Sequence, residues 1–166
     1  MSTARVGNIV GVGGVGAPTF SNGLVGEHQV WLEQGNGHGS TNTKIRRFSV
    51  TNKNVGTAIT YADSGTLGAS FTINETGLYA MSYGDTNSGG ASSFGITRNN
   101  ATLTTSIAGL ADGSTVMAVT QSGTSLPAMC AATVYLVAGD VIRPHTDGAV
   151  NNTGYFSFFK IAKVGV

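Results

Sequence analysis

A regular succession of short alternating segments, separated by turn residues, is the feature that most restricts how this chain can fold. From Lys44 onward, apolar side chains recur at every second position, and clusters of Gly, Asn, Asp and Ser interrupt them. Phe71 and Ile73, for example, fall on one face of a strand, and Ser70 and Thr72 fall on the other. Strands of this length and spacing predict an antiparallel β-sandwich or barrel.

The alternation predicts a fold of about eight strands and marks nine candidate segments for them. Pro144 cannot donate to a strand ladder, so the segment that contains it is expected at a sheet edge or a strand end. The predicted segments cover residues 45–50, 58–61, 69–73, 78–83, 93–98, 116–121, 129–137, 141–145 and 155–164.

Composition supports an all-β chain and excludes several classes of protein. Gly, Ser, Thr and Asn account for 73 of the 166 residues, and only 10% of the residues are charged, against about 25% in an ordinary soluble domain. So few helix-forming residues exclude a helical bundle or coiled coil and argue against a doubly wound α/β enzyme. A net charge of +1 gives no basic field for binding nucleic acid.

Residues 1–43 differ from the rest in composition and pattern. They are rich in glycine, and their apolar and polar residues rarely alternate. The run from Gly11 to Gly16 fits a dinucleotide-binding G-x-G-x-x-G pattern, but Pro18 and Gly23 prevent the helix that this motif needs. We therefore predict an irregular, extended N-terminal arm over residues 1–43 and a sandwich domain over residues 44–166. Glycines allow such an arm to lie close to another surface.

No catalytic or metal-binding constellation is present in the sequence. His28, His38 and His145 are scattered, with no ligand-type residue at metal-site spacing. The eight acidic residues are spread too thinly to suggest an acid–base pair. Cys130 lies in an apolar run and is expected to be a small buried side chain. We predict no enzyme activity and no cofactor, and we find neither a secretion signal nor a membrane span.

Three motifs give the chain from Lys44 to Val164 a family resemblance. The segment 71–79 resembles the F-x-I-x-x-x-G-x-Y pattern of the complement/tumour-necrosis-factor superfamily, and 134–142 resembles its L-x-L-x-x-G-D-x-V pattern. The segment 155–161 resembles its terminal F-S-G-F-L-L strand, with Phe158 where the family has glycine. The resemblance implies an antiparallel jelly roll that forms a homotrimer. Two strands carry more apolar and aromatic surface than one sandwich core needs, and the resemblance implies that this excess lines the trimer interface. The residues concerned are Tyr79, Met81, Tyr83, Phe156 and Phe158.

The segments 37–48 and 58–63 resemble stretches of bacteriophage structural proteins that carry this fold. This resemblance implies a virion component made in the host cytoplasm. The first hypothesis is a capsid decoration, or cement, protein on the outer capsid surface, bound to the major capsid protein or another virion protein. The alternative is a receptor-binding knob of a tail or head fibre, which would bind a host-surface glycan. We expect shell attachment through Val6, Ile9, Val10, Val12, Phe20, Trp31, Arg46 and Arg47.

Overall fold

Two five-stranded antiparallel sheets packed face to face form the domain. The computed structural model describes residues 27–110, 115–123, 125–151 and 156–166. In chain order the strands are β1 (Gln29–His38), β2 (Arg46–Val55), β3 (Ile59–Ser64), β4 (Gly68–Ile73), β5 (Gly77–Thr86), β6 (Ser92–Arg98), β7 (Val116–Ser122), β8 (Pro127–Leu136), β9 (Val141–Thr146) and β10 (Phe158–Gly165). One 3-10 turn, Ile107–Gly109, lies between β6 and β7.

The strand order is that of a jelly roll. Sheet A has the order β2-β1-β10-β5-β8, and sheet B has the order β3-β4-β9-β6-β7. The described chain therefore has ten strands, one more than the alternating segments indicated, and the predicted all-β antiparallel sandwich is confirmed. The additional strand is β1, which pairs with β10 on one side and with β2 on the other.

The predicted boundary of the arm at residue 43 is wrong, because β1 is an inner strand of sheet A. Two features hide this strand in the sequence. Gly35 replaces an inward side chain, and a Cβ there would lie 1.8 Å from Nη2 of Arg46. Gln34 and Gly37 have positive φ values of 57° and 66°, which break the alternation at a bulge. The sandwich thus already begins with β1 at Gln29 rather than at residue 44, and residues 1–26 lie outside the described residues.

Side chains from both sheets fill the space between them. Phe71 of sheet B stacks on Phe159 of sheet A at 4.4 Å between ring centroids, and Tyr83 meets the edge of Phe94 at 5.1 Å. Aromatic contacts of this kind add to the gain from burying apolar area. The fully buried apolar side chains include Val30, Leu32, Ile45, Phe71, Ile73, Tyr79, Tyr83, Ile96, Leu136, Ile142, Phe159 and Ile161.

Pro144 does not place β9 at an edge, because β9 lies between β4 and β6. The proline is tolerated because β4 pairs with β9 only at Val141 and Ile142. Beyond that point Pro144 faces Ile96 of β6 alone, so no ladder bond from its nitrogen is needed.

Candidate functional site

The outer face of sheet A is the candidate functional site, because small and apolar side chains cover it. On β5 and β10 the outward residues include Ala80, Ser82 and Ala162, and Ala131 and Thr133 of β8 lie beside them in register. Such side chains make the centre of the face low and flat. We call this surface the sheet A face and define it by the outward residues of β1, β10, β5 and β8.

Larger apolar side chains stand at both ends of the sheet A face. At the end where β8 begins, Met129, Phe156 and Phe158 line a shallow hollow, and the Phe158 ring covers Gly84, where a Cβ would lie 2.4 Å from Cε1. At the other end, Tyr135 of β8 pairs with Leu78 of β5. The exposed large apolar residues at the two ends are Met129 and Phe156, and Tyr135, Val137, Val164 and Val166.

Charge on the sheet A face is confined to one side. Among the described outward residues of these four strands, only Glu33 and Lys160 are charged. The ammonium of Lys160 lies 4.0 Å from the centroid of the Trp31 ring, an attractive cation–π contact. The Trp31 indole Nε1 is buried and has no hydrogen-bond partner among the residues that the structure describes. The half of the face formed by β5 and β8 carries no charge at all.

The predicted trimer-interface residues divide into two groups. The prediction is wrong for Tyr79, Met81 and Tyr83, because these side chains point between the sheets and are at most 4% exposed. Alternation identified their common face correctly, but that face is the core. Phe156 and Phe158 lie at the end of the sheet A face, and Phe156 is 59% exposed. These two residues therefore remain available to a partner.

The predicted attachment residues also divide. Arg46 is fully buried, so its prediction as a shell contact is wrong. Arg47 donates to Asp63 through Nη2 at 2.8 Å at the surface, and Trp31 belongs to the sheet A face. These three residues do not form one surface. The remaining predicted attachment residues, Val6, Ile9, Val10, Val12 and Phe20, lie outside the described residues.

Arg46 belongs to a buried polar network at the end of the sandwich where β1 finishes. Its Nε donates to Oδ2 of Asp85 at 2.9 Å, and its Nη2 donates to Oδ1 at 3.3 Å. The hydroxyls of Tyr83 and Ser157 donate to the same carboxylate at 2.7 and 2.6 Å, as does the backbone N–H of Thr86 at 2.9 Å. Burial, and then the Asp85 charge, raise the pKa of Tyr83. The paired and hydrogen-bonded charges make this network a structural element.

His38 joins the two sheets beside this network. Its Nε2 lies 2.8 Å from the hydroxyl of Thr146 on β9. Burial, and then the positive charge of Arg46, lower the pKa of His38 to about 4. The imidazole is therefore neutral at physiological pH.

The described residues contain neither a metal-ligand cluster nor a membrane-spanning helix. In the part of the chain that the structure describes, no three His, Cys, Asp or Glu side chains come together as a metal site would require. Over the same residues, no helix has the length and apolar character to cross a membrane.

The outward residues of β8, including Ala131, Thr133 and Tyr135, were not predicted as site residues. A signal for them was present, because residues 127–137 carry no charge on either face. A strand with one solvated face normally alternates apolar with polar residues. The lack of charge on both faces of β8 was therefore the signal that its outward face is less polar than an ordinary solvated face.

Comparison with solved structures identifies the class of fold. Two crystal structures of murine APRIL, at pH 8.5 and pH 8.0, match with TM-scores of 0.59 and 0.55 and sequence identities of 11% and 14%. Each match covers 84% of this chain and 100% of the other. A third, at pH 5.0, matches with a TM-score of 0.53 and 11% identity. No family model and no curated protein matches the sequence.

The described chain is therefore an antiparallel jelly-roll sandwich. Its fold is the tumour-necrosis-factor-like jelly roll, as the sequence motifs implied. At these identities the comparisons show the fold alone, since one fold supports many functions.

Proposed function

We propose that this protein is a non-catalytic structural subunit that forms a homotrimer through the sheet A face. The observation that carries this proposal is the uncharged half of that face, where small residues lie between two apolar ends. Large exposed apolar surfaces on soluble proteins typically mark interaction sites. A likeness to a fold whose members are typically trimers supports threefold rather than twofold association.

Burial of the exposed apolar side chains favours association. Met129, Tyr135, Val137 and Phe156 are each more than half exposed in the single chain. Burying the exposed half of such a side chain contributes about 1 kcal/mol. A closed trimer repeats these contacts three times, and the small residues between the ends allow the subunits to approach closely.

Within this class we propose a capsid decoration protein that stabilises a virion shell. The resemblance of 37–48 and 58–63 to bacteriophage structural proteins supports this role, as does a composition dominated by small neutral polar residues. Because residues 27–43 belong to the sandwich, the attachment segment is limited to residues 1–26. Three such segments in one trimer multiply weak contacts with the shell through high effective concentration.

The trimer is tested by two matched substitutions that each add one charge. Tyr135 on the sheet A face and Val119 on the outer face of sheet B are 57% and 55% exposed. We expect Tyr135→Glu to yield monomers and Val119→Glu to remain trimeric in light scattering at micromolar concentration, because only the first glutamate would be buried without a partner. A monomeric wild-type protein, or a trimeric Tyr135→Glu variant, contradicts the proposal.

The decoration role is tested by binding to undecorated capsids. We expect the full chain to sediment with the shells and a chain beginning at residue 27 to remain trimeric but stay in the supernatant. Binding of the shortened chain at full strength would place attachment in the jelly roll. Binding to host cells, competed by a soluble glycan and without shell binding, would support the fibre-knob alternative instead.

A further inference from the structure

Residues 99–110, which we call the cover loop, lie against the outer face of sheet B. Phe94 and Ile96 point into the core, so Gly95 between them faces outward. Ile107 of the cover loop is buried against Gly95, where an added Cβ would lie 2.8 Å from its Cδ1. His145 pairs with Gly95 in register and faces the same side. The cover loop thus lies over a fully buried histidine.

Hydrogen bonds of Asn99 with Asp140 and Val141 anchor the first residue of the cover loop. Three further contacts hold the rest of the loop in place. The N–H of Lys44 donates to the carbonyl of Leu103 at 2.7 Å. The N–H of Ala108 donates to Oδ1 of Asp147 at 3.1 Å. The third contact is the ring of His145, which bonds to two residues of the loop.

The partners of His145 fix its protonation state. Its Nε2 lies 2.7 Å from the carbonyl oxygen of Thr105, and because a carbonyl can only accept, Nε2 carries the hydrogen. Its Nδ1 lies 3.2 Å from the amide nitrogen of Asn100, and because that nitrogen can only donate, Nδ1 must accept. The loop therefore binds the neutral Nε2–H tautomer.

Asn100 cannot turn to suit a protonated ring. Its Oδ1 accepts from the N–H of Thr102 at 3.0 Å and from the Thr102 hydroxyl at 2.9 Å. Rotating the amide would place its NH2 against that backbone N–H. Protonation of His145 at Nδ1 therefore sets two donors against each other in a buried space, which costs the full penalty of unsatisfied groups.

We propose that protonation of His145 releases the cover loop from sheet B, so that acid opens this side of the sandwich while the rest of the fold persists. Release would expose Ile107 and Gly95. It would also remove one wall of the cavity of about 450 Å³ that Asn99, Asn100, Thr105 and Leu110 line with Thr115, the residue before β7. This inference does not depend on the proposed trimer or decoration role.

The charged groups around His145 set the direction of the pH response. Burial lowers its pKa, and Arg143 on the same strand adds to this effect, whereas the Thr105 carbonyl and Asp147 oppose it. Lys44 precedes the segment that pairs with His145, and His38 lies near enough to interact with it. The cover loop itself contains no titratable side chain. Release is therefore expected in acid, below the ordinary histidine pKa of about 6.5.

Hydrogen exchange and ring titration test this inference on the full-length protein. Proton NMR of the imidazole gives the pKa of His145, and the amide exchange of Lys44 and Ala108 reports the closed loop. After correction for intrinsic rates, we expect protection of these amides to fall at least tenfold as His145 protonates. Protection of Ala80 and Ile161 in sheet A should not change. Unchanged protection of the loop amides with a protonated ring would overturn the proposal.

Asn100→Asp separates the donor conflict from general acid sensitivity. An aspartate keeps oxygen acceptors toward Thr102 and offers a carboxylate to a protonated Nδ1. We expect a raised pKa for His145 and a loop that stays protected at the pH that opens the wild type. His38→Gln is the control, because it removes a partly buried histidine that bonds to Thr146 on the same strand as His145, and its loop should open as in the wild type. Opening of Asn100→Asp at the wild-type pH, or a closed loop in His38→Gln, would refute the inference.

Discussion

Replacing Asp85 by asparagine is the most direct test of the buried polar network. The carboxylate accepts five hydrogen bonds, three at Oδ1 and two at Oδ2. An asparagine puts an NH2 donor in place of one oxygen, so at least two donors lose their acceptor, and Arg46 loses its counter-charge. Removing one partner of a buried ion pair costs about 3–5 kcal/mol. We expect Asp85→Asn to lose that much free energy of unfolding.

Urea unfolding at pH 7 measures this loss. With an m value of about 2 kcal/mol/M, the midpoint should fall by about 2 M. Samples are compared at one protein concentration, because assembly makes apparent stability depend on concentration. Asp63→Asn is the matched control, since the Arg47–Asp63 pair is partly exposed and is worth at most about 1 kcal/mol. Equal losses in the two variants would refute the assignment of Asp85 as a structural centre.

Two further predictions concern neighbours of this network. The pKa of His38 is lowered to about 4, so the unfolded chain binds a proton at this residue more readily than the native chain does. The contribution of neutral His38 to the free energy of unfolding is therefore complete above pH 6.5 and falls as the pH drops toward 4. We expect a loss of about 2 kcal/mol over this range after allowing for partial solvation, and a shallower pH dependence of urea unfolding in His38→Gln; an unchanged slope would contradict the prediction. Gly35→Ala should destabilise by about 2–3 kcal/mol, because its Cβ would overlap Arg46, whereas Gly65→Ala, with nothing within 4 Å, should lose less than 0.5 kcal/mol; equal thermal midpoints would disprove the steric argument.

Alternation was enough to predict nine of the ten strands, because side chains facing a core recur at every second position. It failed at β1, where the inward position at Gly35 is filled by the Arg46 side chain of the neighbouring strand. A pattern of residues along one strand cannot show that another strand supplies the missing volume. For the same reason, Arg46 was predicted to be an exposed cationic side chain, because its partner Asp85 is distant in sequence.

The sequence also did not show which face of a strand points into the core and which points outward. Tyr79, Met81 and Tyr83 share one side of β5, but alternation alone does not say whether that side meets the other sheet or a second subunit. Because these side chains are large and apolar, the sequence favoured a subunit interface for them, whereas in the structure they pack against sheet B. The small outward residues Ala80 and Ser82 were not recognised, because they contribute little apolar area. Their role in the proposed interface is to keep the surface flat.

The pairing of β1 with β10 has a consequence for how the protein is made. Gln29 and Ala162 face each other in register, yet they lie far apart along the chain, so the ribosome releases Gln29 long before Ala162. Until β10 emerges, sheet A exists as two separate halves, β1 with β2 and β5 with β8, each with an unpaired inner edge. Such edges readily join strands of other chains. Completion of the domain is therefore a late, slow event, and truncation before β10 leaves two open half-sheets rather than a smaller domain.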